Sequence, residues 1–262
     1  MNNYDYEQFN SIIQLLYRDF YIFRQHFLHR LKMALYWVLI TVWVTKMFLP
    51  SMGLINFGPF ILISSAISFG LFVGMQNAMN LVDDITSNQA ILYELTLPIP
   101  QWLIFLKIGL SNALQGLIIS LSIIPCGMIV LMDPYPFLEF SLSKFIMIFL
   151  CSSFFYGGFS LILATTLKNM YQVDNVWLRI IFPLWYLGCW QFPWHILYKI
   201  SPYLAYADLL NPMTYIMEGA RSATINSATS LPFNFCCNMI ILYALLAYWL
   251  GIRWMKKRLN CL

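Results

Sequence analysis

Asp208 and Glu218 flank an Asn-Pro pair in an otherwise apolar stretch, and two carboxylates so placed can serve as a general acid and base. Lys199 and Arg221 lie equally near in sequence, so charge pairing that offsets burial in a membrane is the simpler account. His26 and His29 stand three residues apart and can share a metal ion, but no third ligand is near and the polar face of a helix explains them better. His195, beside Trp194, reads as a structural imidazole. The cysteines Cys126, Cys151, Cys189, Cys236, Cys237 and Cys261 have no metal-site spacing and read as small apolar residues. A phosphate-binding loop needs Gly, four residues, then Gly-Lys-Ser or Gly-Lys-Thr. The nearest approach, Gly53 and Gly58 followed by Pro59, supplies neither the lysine nor an amide hydrogen. No cofactor or metal is therefore expected in this chain, and energy from ATP would have to come through a partner.

The elements that position these residues follow from hydropathy. Of 262 residues 60% are hydrophobic and 10% charged, too little charge to coat an ordinary soluble domain. Runs without Asp, Glu, Lys or Arg cover 57–82, 108–132, 145–167 and 222–252. Each exceeds the roughly 18 to 20 residues that cross about 30 Å of hydrocarbon. A shorter run, 33–45, is bracketed by Lys32 and Lys46, whose stems can snorkel and lengthen it. The run 180–198 carries Pro183 and Pro193 and reads as a kinked or broken span. The expectation is an all-α polytopic membrane protein with six spans, at 32–50, 57–80, 102–132, 144–167, 177–192 and 232–252.

Threaded with the N-terminus inside, 11 of the 15 basic residues fall on the inner side and four, Lys46, Lys144, Lys199 and Arg221, on the outer, which places both termini in the cytoplasm. The formal net charge of +4 is thus a topology signal, and no basic stripe suggests nucleic acid. Residues 1–31 carry no apolar segment where a cleavable signal peptide would have one, so the first span is expected to remain. Instead Phe9, Ile12, Ile13, Leu16, Phe20, Phe23 and Phe27 recur at helical spacing, the pattern of an amphipathic helix that either packs on the rest of the protein or, the favoured reading, lies at the cytoplasmic membrane surface. Segment 188–232 is too apolar for a solvated loop and too broken for a span, so a re-entrant helical hairpin at 188–220 is inferred before the last span. The aromatics Tyr36, Trp37, Phe69, Phe72, Trp185, Tyr186 and Trp190 read as packing or lipid-facing residues, or as the lining of a conduit whose rings stack on sugars or hold a lipid.

The sequence NPMTYIMEGAR, 211–221, resembles a motif of the permease subunits of type 2 ABC exporters, with Asn211, Pro212, Thr214, Tyr215 and Arg221 all matching. Upstream, Gly188, Phe192, Pro193 and Pro202 look like further landmarks of that family. ELTLPIP, 94–100, resembles the end of the family's ATPase-facing loop. Aligned on Pro98, the family's usual Gly falls on Gln89 and its usual Glu on Leu92, with an acid instead at Glu94. The resemblance covers nearly the whole chain.

It implies a single transmembrane domain, 32–262, preceded by the surface helix 1–31. It also implies a coupling loop at 81–101, in which Asp83, Asp84, Glu94, Leu95 and Pro98 are candidates to meet an ATPase. On that reading two permease chains, most simply a homodimer, work with two copies of a cytoplasmic ATPase that holds ATP and Mg. They move a glycan, lipid or hydrophobic drug outward across a bacterial inner membrane. The chain itself would not be an enzyme. An integral membrane transferase or hydrolase and a small secondary transporter are the alternatives.

Overall fold

The computed structural model describes residues 3–48, 57–132, 137, 140–167, 170–225 and 230–259. The DPYP turn after Met132, Gly53, Lys168, Cys261 and residues 49–50 of the expected first span lie outside the described residues. The described residues form helices and turns: α1 (Asn3–Phe48), α2 (Phe57–Asp83), α3 (Ala90–Leu95), α4 (Gln101–Leu131), α5 (Leu142–Thr166), α6 (Val173–Val176), α7 (Phe182–Leu187), α8 (Trp194–Ile200), α9 (Pro202–Asp208), α10 (Pro212–Thr224) and α11 (Phe233–Leu259). Five helices are long and apolar enough to cross a membrane: 10–47 within α1, α2 with its π-helical extension to Ser87, α4, α5 and α11.

Four of these match the charge-free runs, because an apolar run in hydrocarbon satisfies its backbone only as a helix. Two expectations change. The amphipathic segment and the first span are one uninterrupted 46-residue helix, with no turn near residue 31. Phe23 on its apolar face is buried, while Ile13 and Phe20 stay exposed.

The expected span 177–192 is shorter and irregular. It runs from α6 through a π-helical turn, Trp177–Ile181, into α7, and ends at Leu187. Pro183 cannot donate to the preceding turn, and a π-turn just before it accommodates that loss. From Val173 to Leu187 such a helix covers about 22 Å, short of the hydrocarbon thickness of about 30 Å.

The most extensive packing is between α5 and α11, and α10 is buried from Met213 to Thr224 against α2, α5 and α11. Helices α4, α5 and α11 approach backbone to backbone at small residues, the usual device of helix pairs in lipid. A Cβ on Gly158 would lie 2.7 Å from the Tyr248 ring, and one on Gly251 would lie 2.8 Å from Leu161 Cβ. Polar side chains tie α5 to α4 and to α2. Asn112 Nδ2 donates to Ser160 Oγ at 2.8 Å, and Tyr156 Oη to the Ile67 carbonyl at 3.1 Å.

Candidate functional site

The loop after α2 is built from one strained residue and one capping carboxylate. Gln89 has φ 57°, a left-handed conformation that glycine adopts freely and other residues rarely do. This is the position where the family resemblance expects Gly. Asp84 Oδ2 accepts from Ile91 N at 2.8 Å and Oδ1 from Ala90 N at 3.3 Å, capping α3 across that turn.

Glu94, on α3, is 5% exposed. Its Oε2 accepts from Lys107 Nζ of α4 at 2.9 Å, and its Oε1 from Arg18 of α1. Asp19 closes the square, with Oδ2 2.9 Å from Lys107 Nζ and Oδ1 2.8 Å from Arg18 Nη2. Two cations and two carboxylates thus lock α1, the loop and α4 together. Glu94 was expected to offer its charge to a partner; it spends that charge internally, because Lys107 is buried and needs counter-ions. Leu95 is half-buried, whereas Asp83, Pro98 and Tyr93, the last 71% exposed, form the loop's outer surface.

In segment 188–224 three prolines each open a helix. Pro193 is the cap residue of α8, and Pro202 and Pro212 are the first residues of α9 and α10, where a missing N–H costs nothing. Asn211 caps α10, its Oδ1 accepting from Met213 N at 3.0 Å. Its Nδ2 donates to the Leu184 carbonyl at 2.8 Å, tying α10 to α7. Gly188 is required by close approach: a Cβ there would come 2.6 Å from the Leu184 carbonyl oxygen and collide with Met213. Thr214 Oγ1 lies 3.0 Å from both Asp208 O and Oδ2, and Tyr215 Oη donates to the Leu209 carbonyl at 2.8 Å.

Arg221 departs from expectation. Counted in the threading among the outer cations, it is 2% exposed and not a surface charge. Its guanidinium donates to Glu218 Oε1 at 2.9 Å, Ser64 Oγ at 2.9 Å and the carbonyls of Trp190 at 3.0 Å, Phe192 at 3.3 Å and Cys189. It also sits 3.8 Å from the Phe60 ring centroid. The chain reversal after α7, with Cys189 at φ 59°, leaves those carbonyls without helical partners, and a five-donor fork is the group that satisfies several at once. The i,i+3 spacing of Glu218 and Arg221 was legible in sequence; the orphaned carbonyls were not.

Glu218 is fully occupied, also accepting from Trp194 N at 3.0 Å and Leu231 N at 3.3 Å. Asp208 has different partners, Thr214 and the Cys189 thiol at 3.1 Å. The two acids thus share no hydrogen-bond partner.

Six of the seven singled-out aromatics form one cluster. Trp185 is its hub, with ring centroids 5.4 Å from Trp37, 5.2 Å from Phe72, 4.8 Å from Tyr186 and 4.2 Å from Trp190, and Phe69 packs on Phe72 at 5.8 Å. Tyr36 stands apart, exposed. Trp190 forms part of the wall of a cavity of about 470 Å³ that also meets Thr41 and Gln191. Among the described residues no three His, Cys, Asp or Glu side chains are placed to hold a metal.

Scanned against protein-family models, curated proteins and solved structures, the chain matches none.

Proposed function

We propose that this chain is the membrane-spanning permease subunit of an ATP-driven type 2 ABC exporter, paired with a second permease copy and two copies of a cytoplasmic ATPase. The observation that carries the reading is the ion-paired square of Arg18, Asp19, Glu94 and Lys107. It makes the loop 84–100, the N-terminal helix and α4 one body, so a push on the loop is delivered to two long helices. Exposed Tyr93, Pro98 and Asp83 give a partner a surface to push on.

On this reading the irregular helix 173–187 is a short sixth span and both termini are cytoplasmic. Segment 188–220 then enters the membrane from outside and returns. Two features support the last point: α8 and α9 have seven residues each, too few to cross, and α10 is buried alongside α2, α5 and α11. The aromatic cluster around Trp185 would shape the path between the two permease copies.

The test is a photo-crosslinking residue at Tyr93, compared with one at Glu94, in cells that express the neighbouring genes. A soluble ATPase should be captured from position 93 and not from 94. Capture from neither position, with the protein correctly inserted, would remove the loop as the contact.

A further inference from the structure

A second cavity, of about 440 Å³, opens between α1, α2, α4 and the loop, and Arg30 lines it. Arg30 is half-buried and makes no ion pair with any described residue. Its hydrogen bonds use a single nitrogen: Nη1 donates to Asn77 Oδ1 at 2.9 Å and Gln115 Oε1 at 2.8 Å, while Nε and Nη2 donate to nothing described. Otherwise the charge faces the Phe23 ring at 5.7 Å. Asn77, on the same wall and 5% exposed, keeps a second unsatisfied donor, Nδ2.

The carboxylates of this cavity are committed elsewhere. Asp19 and Glu94 are taken by Arg18 and Lys107, and both Asp84 oxygens by the amides of α3. A guanidinium set among spanning helices with only amide oxygens as partners is costly to leave uncompensated.

The shape and depth of the cavity say what would compensate it. Ile22, Phe23 and Ile108 add apolar wall, so the occupant carries a negative head on an apolar body. On the sequence reading that starts the first span at residue 32, Arg30 stands at its cytoplasmic edge, just before the charge-free run 33–45, the level of headgroup phosphates. Two free guanidinium nitrogens in a fixed fork match two oxygens of one phosphate.

We propose that this cavity binds the phosphate of a membrane phospholipid, with Arg30 as its anchoring cation and Asn77 as a supporting donor. The site stands apart from the exporter reading, and either can fail without the other.

The experiment uses delipidated wild-type protein in detergent. It is titrated separately with a short-chain phosphatidic acid, with the diacylglycerol of the same chains and with inorganic phosphate, and adducts are counted by native mass spectrometry. Phosphatidic acid should be retained and diacylglycerol should not. Arg30→Gln should weaken retention by about tenfold to a hundredfold, the effect of one charge-assisted paired contact. Because Arg30→Gln can also disturb packing, Asn77→Asp is the second variant. It gives Arg30 an internal counter-ion, so thermal stability without lipid should hold or rise while phosphatidic acid retention falls. Equal retention by wild type and both variants, or equal retention of diacylglycerol, would overturn the site. Displacement of the lipid by inorganic phosphate at matching concentration would overturn the lipid as its source.

Discussion

Arg221 shows how one side chain can decide the shape of an irregular segment. The carbonyls of Cys189, Trp190 and Phe192 point out of a turn toward the buried Arg221, and a buried carbonyl left without a donor is costly. Removing Arg221 would strip those acceptors and leave Glu218 as a buried charge without its cation. Arg221→Met should therefore lower stability by about 3 to 5 kcal/mol, seen as a large fall in the melting temperature of the detergent-purified protein. Adding Glu218→Gln should recover part of that loss, since the orphaned charge is then gone. A double variant no more stable than the single one would mean that the carbonyls, and not the ion pair, carry the energy. At Glu94 the same logic corrects an expectation from sequence: an acid in a polar loop looks available to a partner until Lys107, thirteen residues on, is seen to bury its ammonium against it.

At the scale of elements, much was legible and the rest failed for physical reasons. The runs 57–82, 108–132 and 145–167, and 233–252 of the run 222–252, became α2, α4, α5 and α11, because long charge-free sequence has one stable form in lipid. The Asn211 cap and the proline at the start of α10 followed from local rules that need no tertiary information. The unbroken α1 was missed because its change from amphipathic to apolar looks like a boundary, while nothing at residues 28–32 stops a helix. The short helix 173–187 was overestimated because hydropathy continues past Leu187, whereas the backbone turns at Gly188 and Cys189. The loop offers a direct check on such backbone effects. Gln89→Gly should relieve the left-handed conformation and stabilise the loop by up to about 1 kcal/mol. Limited proteolysis within 84–100 should be slower than in wild type, and faster in Gln89→Val. The reverse order would mean that the turn seen at Gln89 is not the conformation in solution.

For the whole molecule, the arrangement is a bundle of long apolar helices with a polar clamp at one end and a buried arginine knot within the short helices 188–224. On the proposed reading the clamp ties the loop that a partner would move to two long helices, and the knot holds the short helices of 188–224 in place. Neither feature supplies energy, so the reading as a permease requires an ATPase in another chain. The most direct measurement is affinity purification of the tagged protein from its native membrane, followed by identification of co-purified chains and an ATP hydrolysis assay. The account predicts a soluble ATPase in a one-to-one ratio with this chain, hydrolysis by the complex, and none by this chain once the ATPase is stripped away. ATP hydrolysis by the isolated chain, or a fully inserted and stable protein that brings down no ATPase from its native membrane, would contradict it.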